Sequence, residues 1–96
     1  QVEREVEKST EDVFMVLTIV YNHHKPNLAQ KVLDAQHDHT GDIISTMHIH
    51  IDHENCLEII VVKAKGRRIL EIAGRLSSIK GVRLGRYILL PKDIPD

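Results

Sequence analysis

The sequence predicts one small α+β domain in which a four-stranded antiparallel sheet carries two helices on one face. Three observations predict it. Aromatic residues are only 3% of the 96 and tryptophan is absent, so the core must be built from Ile, Val and Leu, which favour strands. Two nearly uninterrupted apolar runs, at residues 13–21 and 56–64, have the length and composition of buried strands. Two further stretches repeat their apolar residues at helical spacing.

Residues 1–12 are polar and acidic, with Glu3, Glu5, Glu7 and Glu11, and read as a linker or frayed helix with almost nothing to bury. The domain proper is expected at residues 13–90. After the first strand (13–21) comes a turn at 22–26, with Pro26 suited to a first helical turn. Leu28, Ala29, Val32 and Leu33 then mark a helix that runs to about His37. Gly41 breaks the chain, residues 42–51 return to strand character, and a short polar turn leads into the strand at 56–64, so these two form a hairpin. A second helix spans about 66–79, with Ile69, Ile72, Ala73 and Leu76 as its apolar stripe and Arg67, Arg68 and Arg75 on a solvated face. Lys80 and Gly81 end it, a fourth strand covers 82–90, and Pro91 and Pro95 mark a loose tail at 91–96.

Strand, helix, strand, strand, helix, strand is the ferredoxin-like plan. The two long strands are apolar on both faces, yet the helices cover only one. The other would be a large hydrophobic patch unless it packs against another copy of the chain.

Composition narrows the function. Net charge is −1 with both signs interspersed, so no global field draws this chain to nucleic acid or an anionic membrane. No apolar run approaches the roughly 18 residues of a membrane helix. The single cysteine, Cys56, cannot form an internal disulfide, and a lone thiol beside seven histidines points to a reducing compartment, expected to be the cytoplasm, and to metal or redox chemistry.

All seven histidines fall between His23 and His53, and Cys56 follows three residues later. On the second strand His48 and His50 alternate with Met47, Ile49 and Ile51, so both imidazoles point one way, about 7 Å apart. Whether Cys56 joins them depends on loop parity. A two-residue turn would set it opposite Ile51, on the wrong face, whereas a three- or five-residue loop pairs it with His50. The odd loop or a bulge is expected, with Asn55 able to take a left-handed position. The same register sets Glu58 opposite His48, where a carboxylate can fix the tautomer of a metal-bound imidazole. Because Met47 and Ile49 are the more apolar pair, their face is expected to meet the helices, leaving the histidines on the open face. His37 would then be unable to reach them within its own chain and would have to come from a neighbouring one. His23, His24, His39 and His53 are expected to be exposed turn residues.

The run Gln36-His37, then His48-Ile49-His50-Ile51-Asp52-His53-Glu54-Asn55-Cys56-Leu57-Glu58, with Val20-Tyr21 and His23 upstream, resembles the C-terminal domain of the nickel-responsive regulator family NikR. The resemblance covers residues 13 to about 90. It implies an ACT-like fold, a homotetramer, and one Ni(II) per chain held in a square-planar interface site by His48, His50 and Cys56 of one chain and His37 of another. Tyr21 and Glu58 fall where the family has supporting groups. It further implies a repressor of nickel uptake, not an enzyme, that reaches operator DNA only through an N-terminal ribbon-helix-helix domain absent from this chain, residues 1–12 then being the linker from it. The choice of nickel rests on the resemblance, since three imidazoles and a thiolate also suit Zn(II) and Cu(II).

Two alternatives compete. An ACT-like domain binding a small molecule satisfies the fold but leaves the histidine cluster unexplained. The spelling His48-x-His50-x-Asp52-His53 also fits zinc hydrolases, but no histidine follows His53 to supply the further ligands of that much longer fold.

Overall fold

The computed structural model describes residues 10–90 together with Arg4, Val6, Lys8 and Ile94. The elements are β1 (Asp12–Asn22), α1 (Leu28–His37), β2 (Ile43–His50), β3 (Asn55–Lys65), α2 (Gly66–Ser77) and β4 (Val82–Leu89). They form one sheet of order β2-β3-β1-β4 with every neighbouring pair antiparallel, which is the α+β, ferredoxin-like arrangement.

Strand periodicity builds the core. In β1 the side chains of Val13, Met15, Leu17, Ile19 and Tyr21 are buried, and in β3 those of Cys56, Glu58, Ile60, Val62 and Ala64. The register sets Tyr21 opposite Cys56 and Leu17 opposite Ile60, so both sets share one face. Leu28, Val32 and Ala35 of α1 and Ile69, Ile72, Ala73 and Leu76 of α2 are buried in the same core, so both helices cover that face. Gly81, at φ 107, turns the chain from α2 into β4, where a Cβ would meet Leu28 Cδ2 at 2.9 Å.

Among the described residues nothing covers the opposite face. Val16, Thr18 and Val20 of β1 and Leu57, Ile59 and Val61 of β3 are only half-buried, and Met47, Ile49 and Ile88 beside them are exposed.

Four details differ from expectation. Met47 and Ile49 lie on this open face, and His48 and His50 lie on the helix side, so the face they occupy no longer bars His37 from reaching them within its own chain. β2 is an edge strand whose helix-side positions stay exposed, so the helix-covered face does not demand apolar residues there. Pro26 precedes the helix rather than opening it, because Asn27 takes the left-handed conformation at φ 65 before Leu28. Asn55 does not take that conformation; it is the first residue of β3. Of residues 1–11, Arg4, Val6 and Lys8 are helical and Val6 is buried in the core, so this segment does contribute an apolar side chain. The expected tail at 91–96 lies outside the described residues, apart from an exposed Ile94.

Candidate metal centre

The hairpin register decides which donors meet. Five residues, 51–55, separate His50 from Cys56, and the strands pair His50 with Cys56 and His48 with Glu58, the odd-loop arrangement. Asp52 shapes the turn: its Oδ1 accepts from the backbone N–H groups of Glu54 and Asn55 at 2.9 and 2.8 Å, and its Oδ2 from the Asn55 side chain. Those donors, the Asn55 backbone first, hold its carboxyl below the usual range. Asp52 is therefore occupied as a turn cap, which counts against the hydrolase pattern that needs it as a ligand.

Across the hairpin, His48 bridges two buried groups. Its Nδ1 lies 3.1 Å from Glu58 Oε1 and its Nε2 lies 3.2 Å from Cys56 Sγ. The Glu58 carboxylate can only accept, so Nδ1 carries the proton and Nε2 presents its lone pair to the sulfur. The thiol then donates S–H to Nε2. Cys56 is fully enclosed, and burial, followed by the nearby Glu58 and Asp52 carboxylates, pushes its thiol up from its ordinary value. One proton thus sits between a soft sulfur and an imidazole nitrogen, two donors that would both turn to a metal ion once it leaves.

Glu58 is held from three elements. Besides His48 on β2, Tyr21 of β1 donates its hydroxyl to Oε1 at 3.2 Å, and Gln36 of α1 donates Nε2 to Oε2 at 2.7 Å. Three donors offset the loss of water around a carboxylate that is 7% exposed. Burial first, then the Glu58 charge and hydrogen bond, drives the Tyr21 phenol far above its ordinary value, so it acts here as a fixed donor.

A further histidine joins the cluster. The donor atoms of His23, His50 and Cys56 all lie within 4.8 Å of one another. His23 follows β1 by one residue, with its ring 5.0 Å from that of His50. Its Nε2 and that of His24 both donate to the His53 carbonyl, at 2.8 and 2.9 Å, which ties the β1–α1 loop to the hairpin turn. His23 is half-buried rather than an exposed turn residue. Tyr21 pairing with Cys56 is the signal that could have found it, since the residue two positions on continues along the same side. His24 and His53 are exposed as expected, but His39 is not: both of its ring nitrogens are enclosed without a hydrogen-bond partner among the described residues.

Neither His48 nor His37 belongs to that close group of three: His48 reaches it through its contact with Cys56, and His37 sits exposed at the C-terminal end of α1. The donors present fit a late first-row divalent ion: two imidazoles and a thiol at one hairpin, a third imidazole beside them, and a carboxylate fixing a ring tautomer.

Comparison with known proteins agrees with this chemistry. The family described as NikR C terminal nickel binding domain matches residues 14–90. A nickel-responsive regulator of Pyrococcus abyssi is 48% identical over 88 residues, covering 92% of this chain and 64% of that protein. One from Nitratidesulfovibrio vulgaris strain Miyazaki F is 46% identical over the same length, covering 92% and 63%. The chain thus spans a little under two thirds of these relatives. Among solved structures, an uncharacterized protein from Thermotoga maritima superposes with a TM-score of 0.73 at 26% identity, covering 83% of this chain and 99% of that one.

Proposed function

The chain belongs to the family of NikR C-terminal nickel-binding domains, and from that premise we propose that it is the nickel-sensing domain of a nickel-dependent, DNA-binding repressor of nickel uptake. The family is a regulatory metal-binding domain rather than an enzyme. His48, His50 and Cys56 of one chain and His37 of a neighbour would hold one Ni(II) per chain, and the ion would supply a bridge between subunits. The observation that carries this is His48 itself, with its tautomer set by Glu58 and its free lone pair turned to the Cys56 sulfur.

Two features favour an assembly. The open face presents a largely apolar surface of Val16, Val20, Leu57, Ile59 and Val61 around Thr18, flanked by Met47 at 57% exposure and Ile88 at 68%. His37 stands exposed at a helix end, where a neighbouring chain can reach it. A homotetramer satisfies both: open faces pack together and histidines cross between chains. Residues 1–12 serve as the linker from an N-terminal ribbon-helix-helix domain of the whole protein, which contacts operator DNA. Bound metal shifts the tetramer toward the arrangement that fits the operator. A lone thiol kept ready for metal belongs in the cytoplasm. Among the described residues no helix is long and apolar enough to cross a membrane.

The test is a nickel titration followed by absorption, on the wild type and Cys56→Ala, with oligomer size measured alongside. A thiolate-to-nickel band that saturates at one ion per chain and vanishes in the variant is the expected result. A band that survives without Cys56 would remove the sulfur from the site.

A further inference from the structure

Glu58 offers one carboxylate oxygen to the histidine side of the site and the other to α1. The amide that takes the second oxygen is itself oriented. Gln36 Nε2 donates to Glu58 Oε2 at 2.7 Å, and Gln36 Oε1 accepts from Thr46 Oγ1 at 3.3 Å. Flipping the amide would set oxygen against a carboxylate oxygen, so only one setting satisfies both contacts. Gln36 is buried, at 9% exposure, on a helix whose other buried side chains are the apolar Leu28, Val32 and Ala35.

An open pocket adjoins it. Leu33, Gln36, Ile43, Thr46 and Glu58, with His37, line a solvent-open pocket of about 350 Å³ between the last turn of α1 and β2. Where apolar contact leaves a gap, a charge-assisted hydrogen bond decides how a helix end is seated. The residue that follows Gln36 is His37, the ligand assigned above to the neighbouring chain.

We infer that Gln36 couples paired metal sites, linking the site its own chain builds to the seating of the histidine that chain lends to its neighbour. This coupling holds only if His37 crosses between chains, as proposed above. Its direction follows from the hydrogen bonds. When His48 serves as a ligand through Nε2, its Nδ1–H becomes a stronger donor and grips Glu58 more firmly. Glu58 then presents Oε2 to Gln36 in a fixed position, and the last turn of α1 keeps one setting. His37 is already ordered when the second site takes its ion, so the second site binds with a smaller ordering cost. The expected consequence is positive cooperativity between sites. Gln36 touches neither the ion nor a ligand atom and is a positioning residue.

The experiment titrates Ni(II) into the full chain as wild type, Gln36→Met and Thr46→Val, and measures hydrogen exchange at residues 34–37 in the metal-free proteins. Wild type should bind with a Hill coefficient above unity. Gln36→Met should keep the thiolate-to-nickel band and its saturation ratio while the coefficient falls to unity and last-turn exchange speeds up about tenfold. Thr46→Val should move both readouts the same way by less, and it decides the matter if Gln36→Met does not fold. Non-cooperative binding by the wild type, or unchanged cooperativity and exchange in the variants, overturns the coupling. Absence of the band in the wild type instead overturns the metal site beneath it.

Discussion

The Nε2 of His48 stands 3.2 Å from the sulfur of Cys56 across the β2–β3 hairpin. With Nδ1 tied to Glu58, the contact is a thiol donating to a nitrogen lone pair, and this arrangement makes the site's response to pH, to second partners and to metal predictable.

Acid should weaken nickel binding. Burial, then Glu58 and Asp52, raises the Cys56 thiol, so at neutral pH the metal-free site holds its proton and must release it to bind. The sign follows: protons compete with the ion, and affinity rises as pH rises, by about tenfold per unit where one proton is exchanged. Isothermal titration in buffers of different ionisation enthalpy measures the proton directly. A pH-independent affinity would mean that the sulfur is not a ligand.

Glu58→Gln should cost about 10- to 100-fold in nickel affinity, the usual effect of losing the carboxylate behind a ligating histidine. The amide cannot accept from Tyr21, Gln36 and His48 as the carboxylate does. Competition with a chelator of known affinity reads the loss. Unchanged affinity would show that the His48 tautomer needs no support.

Nickel should raise thermal stability and a chelator should reverse it. An ion held only by the folded state adds about 2.7 kcal/mol at a free concentration of about 100 times Kd. Cys56→Ala should show little of that gain, and an equal shift in both proteins would place the stabilising ion elsewhere.

Ile59→Lys should split the assembly without unfolding the subunit. Ile59 lies half-buried on the open face, pointing away from the helix-side core. Sedimentation should find smaller particles with native circular dichroism. An unchanged particle size would mean that this face does not hold chains together.

The element order was legible because β1 and β3 are apolar enough, and the helices periodic enough, for each to be recognised locally. Hairpin register was legible because parity allows only two outcomes, and only one puts Cys56 beside His50. Which face the pair occupies was not. Apolarity misleads at β2, where Met47 and Ile49 lie on the uncovered face and the polar histidines lie on the helix side of an exposed edge. His23 was expected to be an exposed turn residue, and that expectation failed for a related reason. It lies in the β1–α1 loop, where no periodicity operates, and its place beside His50 depends on how that loop is tied to the hairpin turn. Gln36 was legible only as the neighbour of His37 in the motif; that its amide meets Glu58 follows from packing between α1 and β3.

The central claim is that two chains build each metal site, and subunit mixing tests it most directly. Chains carrying His37→Ala and chains carrying Cys56→Ala are each expected to lose the wild-type nickel band on their own. Refolded together, a mixed pair pairs His48, His50 and Cys56 of the first with His37 of the second, and the band should return at about half the wild-type sites in such pairs. A mixture that stays silent, or a His37→Ala protein that keeps the wild-type band unaided, would contradict a site shared between chains.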